Sequence, residues 1–130
     1  MLLAFAGGFG LALSVVTPAA DTQSVKELTD VRGSIVFRTY CMLCHGPNAD
    51  GKGRAAKNLK PPPANLTISV VSDEYKEAII RGGGEAMGRS PFMPPWGQEL
   101  TEEQIKDVIA YLQTIKVGNA AYRKGKADSR

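Results

Sequence analysis

The pentapeptide CMLCH, Cys41 to His45, holds both cysteines and the single histidine of this 130-residue chain. Whatever the fold, it must place two thiols and an imidazole within about one helical turn. Few chemistries use such a cluster. A thioredoxin-like dithiol needs C-x-x-C between a strand and a helix in a βαβ context, and no strand-period alternation flanks these residues. A structural zinc site needs four ligands, whereas the chain offers two Cys and one His with no second pair. A disulfide between helical residues three apart has poor geometry. A c-type haem attachment site uses all three residues. The sulfurs of Cys41 and Cys44 add across the two vinyl groups as thioethers. Their spacing puts them on one side of a helical turn, and His45 stands next in line to ligate the iron.

The first twenty residues, MLLAFAGGFGLALSVVTPAA, contain no charge and end in small residues. They read as a secretory signal peptide, with Thr17 and Ala19 in place of the small residues before a cleavage site. No Lys or Arg precedes the apolar run, so an uncleaved N-terminal anchor is the rival. The run Met1 to Val16 is shorter than the roughly 20 residues that span a bilayer. Residues 21–130 are then one domain, with its core at about 30–117 and a polar, basic tail at 118–130. The net charge of +3 carries no like-charge run, which argues against nucleic-acid binding.

Three helices are predicted. The first runs from about Asp30 to Cys44, with Gly33 and Phe37 four apart on one face. An internal glycine costs about 1 kcal/mol against alanine, and a close helix crossing would explain it. The second, about Asp73 to Arg81, is capped by Ser72 or Asp73 and ended by RGGG. The third starts at Thr101 with Gln104 three residues on, a capping box. Ile105, Val108, Ile109, Leu112 and Ile115 form its apolar face, and Gly118 is expected to stop it. The Gly- and Pro-rich stretches between these helices are long for a small domain and need something to wrap.

GSIVFRTYCMLCHG, DGKG (50–53), LKPPPANLT (59–67), MPPWG (93–97) and LTEEQIKDVIAYLQTI together resemble the class I monohaem cytochromes c over about residues 33–116. The resemblance implies an all-α fold of three to five helices, with long loops around one covalently attached haem c. It also implies N- and C-terminal helices crossing nearly at right angles, with Gly33 and Phe37 against Ile109, Tyr111 and Leu112.

The second iron ligand cannot be a histidine, because none remains. Methionine is the usual partner of His in cytochromes c and raises the potential. Met42 lies within the haem motif on the His45 side. Met87 sits beside a glycine in what reads as a loop. Met93 precedes two prolines, which fix the backbone without internal hydrogen bonds, and it stands where the family carries its axial Met. Met93 is therefore favoured over Met87. By resemblance, the carbonyl that accepts the His45 Nδ1 proton falls at Arg54, where the family has proline. Trp96, Tyr40, Tyr75 and Asn65 are candidates to pack on the ring or reach a propionate.

Two filled axial sites imply an electron carrier cycling Fe(II)/Fe(III) and not an enzyme. Residues 46–66 carry Lys52, Arg54, Lys57 and Lys60 against Asp50, a positive rim suited to an acidic face on a redox donor or acceptor. The expected location is the bacterial periplasm, with a possible membrane tether through residues 1–20. The alternative is a haem-bearing relay subunit of a larger oxidoreductase.

Overall fold

The computed structural model describes residues 19–118. The predicted leader lies outside the described residues apart from Ala19 and Ala20, and so does the tail beyond Gly118. Among the described residues the regular structure is entirely helical, as expected. Helix α1 spans Ala19–Val36. A π turn at Phe37–Cys41 joins it to the short α2, Met42–His45. Helix α3 is Asp73–Ala86 and α4 is Glu102–Thr114. Single 3₁₀ turns at Ala56–Asn58 and Leu66–Ile68 punctuate the long loop between α2 and α3.

The first helix differs from expectation at both ends. It begins eleven residues before Asp30, in a segment whose residues are almost all exposed and so carry no core pattern to read. It then leaves α geometry at Phe37, where the π turn takes over. Thr39 Oγ1 donates to the Ile35 carbonyl at 2.9 Å, a back-bond that commonly bends helices.

Helix α4 follows its pattern closely. Thr101 Oγ1 accepts from Gln104 N, and Gln104 Oε1 accepts from Thr101 N, completing the capping box. Ile105, Val108, Ile109 and Leu112 are buried. The helix stops at Thr114, four residues before Gly118, and Val117 N then donates to the Thr67 carbonyl.

The crossing of α1 over α4 forms the frame. A β-carbon on Gly33 would fall on the Asp107 carbonyl and within 2.7 Å of Tyr111 Cβ, so only glycine lets the two backbones meet there. Phe37, fully buried, stacks at a tilt on Tyr111 with ring centroids 5.6 Å apart. Beside the crossing, Arg32 Nε donates to the buried Asp107 carboxylate at 2.6 Å. Helix α3 is tied to the start of α4 by Arg81, which donates to Glu77 at 2.8 Å and to Glu102 Oε1 at 2.7 Å. These contacts leave the loops free to enclose a cavity beneath the crossing.

Candidate haem site

The cavity has a volume of about 750 Å³, within the range of small-molecule and cofactor sites. Cys41, at the end of the π turn, and Leu43, Cys44 and His45 of α2 give it one wall. A four-residue helix leaves its carbonyls unsatisfied, and the following loop satisfies all four. Gly46 N donates to Met42 O, Ala55 N to Leu43 O, Gly53 N to Cys44 O and Gly51 N to His45 O, at 2.8–3.0 Å. The DGKG segment therefore holds the CMLCH turn in shape.

His45 Nδ1 lies 3.0 Å from the Ala64 carbonyl oxygen. A carbonyl can only accept, so the proton sits on Nδ1 and the Nε2 lone pair is left for a ligand. Burial pushes the His45 pKa below its ordinary value, against a smaller upward pull from the Ala64 carbonyl, which favours the neutral form that a metal ligand needs. This corrects the expectation at Arg54. Its side chain is exposed and outside the cavity, and the acceptor comes nineteen residues after His45 from the end of the PPPA run. Asn65 also differs from expectation. Its Oδ1 accepts from Thr67 N at 3.0 Å and from Thr67 Oγ1 at 2.7 Å, and it does not line the cavity. It caps the 3₁₀ turn that carries Leu66 and fixes the chain on which Ala64 sits.

Met93 lines the cavity, whereas Met87 and Met42 do not. The glycine run read as the end of α3 instead seats the Met93 loop. Gly83 breaks the helix with φ 79°, and the chain regains a turn as far as Ala86. Gly84 N donates to Met93 O at 2.9 Å, and a β-carbon on Gly83 would press on Met93 O, Pro94 and Pro95 at 2.9–3.1 Å. Trp96 N and Gly97 N then donate to Ile80 O and Arg81 O, satisfying two late carbonyls of α3. Trp96 lines the cavity and meets Tyr40 edge-on at 5.3 Å. Tyr75 lines it too.

The donor set fits a c-type haem. Cys41 and Cys44 are free thiols. Burial, aided by Cys44, pushes the Cys41 thiol up to about 12, the opposite of the lowered pKa that a redox dithiol requires. The rest of the wall is mainly aliphatic, aromatic and proline, suited to a flat apolar ring.

Residues 31–116 match the Cytochrome c family profile. The chain belongs to the cytochrome c family. This cytochrome domain accordingly carries one covalently bound haem c and belongs to a class that transfers electrons. It is 31% identical over 114 residues to the cbb3-type cytochrome c oxidase subunit FixP of Azorhizobium caulinodans, covering 82% of this chain and 32% of that one. It is 26% identical to the CcoP subunit of Azospirillum brasilense, covering 67% of this chain and 28% of that one. It is 31% identical to cytochrome c-554(548) of Halomonas halodenitrificans, covering 55% and 78%. The cytochrome thus spans about a third or less of the two oxidase subunits. Among solved structures it resembles a chain of the Kuenenia stuttgartiensis reducing HAO-like protein complex, with TM-score 0.55 and 30% identity, covering 65% of this chain and 41% of that one.

Proposed function

We propose that this domain is a single-electron carrier of the bacterial periplasm, with Cys41 and Cys44 as thioether attachments and His45 and Met93 as axial iron ligands. The observation that carries the reading is the joint placement of His45 and Met93 on one cavity from which Met42 and Met87 are absent. Haem c supplies the Fe(II)/Fe(III) couple. The chain's own work is to present the His45 lone pair, hold the Met93 thioether on a proline-stiffened loop, and keep water from the ring with Phe37, Trp96, Val108 and Leu112. With both axial positions filled, the domain is a carrier and not a catalyst.

Lys52, Arg54, Lys57 and Lys60 are all exposed on the loop that follows the haem motif, which supports docking of an acidic face on a donor or acceptor. Carbon monoxide tests the ligation. The ferrous protein is expected to keep its spectrum under the gas; rapid conversion to a carbonyl form would contradict a filled sixth position.

A relay subunit of a larger oxidoreductase is the second reading. Val25, Leu28, Val31 and Ile35, spaced three, three and four apart on α1, are each more than half exposed, and such an apolar stripe is suited to a partner surface. No helix among the described residues is long and apolar enough to cross a membrane. Fractionation separates the two readings: a free carrier elutes alone from periplasmic extract, and a relay subunit co-purifies with an oxidoreductase.

A further inference from the structure

The loop that carries Met93 is seated on the glycine-rich end of α3. Gly82, Gly83 and Gly84 follow Arg81 without interruption, and glycine gives up more conformational freedom on folding than any other residue. The backbone bonds that fix Met93 O, Trp96 N and Gly97 N nevertheless all end on residues 80–84. Arg81 closes this loop from both sides. Its carbonyl accepts from Gly97 N at 3.2 Å. A β-carbon on Gly97 would stand 3.0 Å from that oxygen, so the exit of the loop lies tight against Arg81. Its guanidinium reaches Glu102, twenty-one residues on, with Nη1 donating to Oε1 at 2.7 Å and Nη2 to Oε2 at 2.5 Å. Such two-point pairing fixes orientation as well as distance. Nε and Nη2 also donate to Glu77 Oε1 at 3.0 and 2.8 Å, steadying the guanidinium from the preceding turn of α3. Glu102 is the first residue of α4, directly after the Thr101 cap. One residue thus joins α3, the exit of the Met93 loop and the start of the next helix, and it does so from outside the cavity.

We propose that Arg81 is a clamp on the Met93 loop: by holding Glu102 it keeps the loop seated on the glycines, and so it sets how often the Met93 thioether leaves the iron. The inference rests on the Met93 ligation proposed above. A filled sixth position admits another ligand only after the methionine has moved away. That requires local opening of the loop and not unfolding of the domain. Partly exposed ion pairs add little to global stability, so the clamp acts on the loop it closes more than on the domain as a whole. Arg81 is a positioning residue, acting through the loop.

The test is imidazole binding to the ferric holoprotein, followed by stopped-flow absorbance. At saturating imidazole the observed rate is that of Met93 leaving the iron. Arg81→Gln is expected to raise this limiting rate by about five- to tenfold, tenfold corresponding to about 1.4 kcal/mol. Glu102→Gln should act in the same direction. The double variant should be no faster than Arg81→Gln alone, because both changes remove one interaction. Two controls separate a clamp from general loosening. Arg32→Gln breaks the ion pair with the buried Asp107 at the crossing of α1 and α4 and should lower the melting temperature, yet change the limiting rate less than twofold. Glu103→Gln removes the neighbouring charge, which pairs with Arg32, and should also change the rate less than twofold. The proposal is overturned if Arg81→Gln stays within twofold of the wild type, if either control raises the rate as much, or if the effects of Arg81→Gln and Glu102→Gln simply multiply. Should Arg81→Gln fail to mature, Glu102→Gln decides against Glu103→Gln: a clearly faster rate in the first supports the clamp, and equal rates overturn it. The far-red band of the wild-type ferric protein reports methionine ligation independently of Arg81. Its absence would sink the Met93 reading itself, whereas an intact band with unmoved rates would sink only the clamp.

Discussion

Replacing Gly33 by alanine sets two effects of opposite sign against each other. Alanine in a helix interior is better than glycine by about 1 kcal/mol. Against this, the new β-carbon would land on the Asp107 carbonyl and press on Tyr111 Cβ. The obstruction is mostly backbone, which cannot rotate away, so α1 and α4 must part. Overpacking of this kind costs about 1–3 kcal/mol, occasionally more. Parting the helices also strains the Arg32–Asp107 hydrogen bonds and loosens Phe37 on Tyr111. The expected outcome is a net loss of about 2 kcal/mol, a fall in Tm of about 8–16 °C for a domain this size, read by circular dichroism on the holoprotein. Gly82→Ala is the internal control. Its β-carbon would meet only Ala86 Cβ at 3.4 Å, so helix propensity acts alone and should stabilise by about 0.5–1 kcal/mol. If Gly33→Ala melts at or above the wild-type temperature, the helices do not meet at Gly33 and the frame proposed for the cavity is wrong.

Other substitutions probe the parts that this frame positions. Thr101→Ala removes the capping box of α4 and should cost about 1 kcal/mol by urea denaturation; an unchanged midpoint would mean the cap is not formed in solution. Gly84→Ala would drive a β-carbon onto the Ser90 carbonyl and against Met93 Cβ, so it should weaken methionine ligation, seen in the far-red ferric band, while the haem stays attached. Asp73 bears on acid stability. Its carboxyl is held below its ordinary value, mainly by the Lys76 ammonium. A depressed folded-state pKa gives stability that is fully present above about pH 4 and lost as pH falls through the folded value. Asp73→Asn should therefore flatten the loss of stability on acidification; equal slopes for wild type and variant would contradict it.

The parts legible in the sequence are those whose signal is local. The capping box at Thr101 and the spacing of Ile105, Val108, Ile109 and Leu112 identify α4 within one turn of its true ends. CMLCH identifies its own chemistry, and the prolines after Met93 mark a stiff segment. The parts that were not legible depend on where one loop meets another. Nothing near Ala64 announces that its carbonyl will reach His45 nineteen residues back; the PPPA run gives a stiff backbone but no direction. RGGG reads as a helix stop, yet its function is close approach by the Met93 loop, visible only once that loop is docked on Gly83 and Gly84. The early start of α1 is hidden because its first turns are exposed and have no apolar period.

The claim that His45 and Met93 together hold the iron is tested most directly by the far-red band that methionine gives to ferric haem. The wild-type protein is expected to show it. Met93→Ala should lose the band while keeping covalent haem, and Met87→Ala should leave it intact. Persistence of the band in Met93→Ala, or its loss in Met87→Ala, would contradict the ligand assignment on which the proposed function rests.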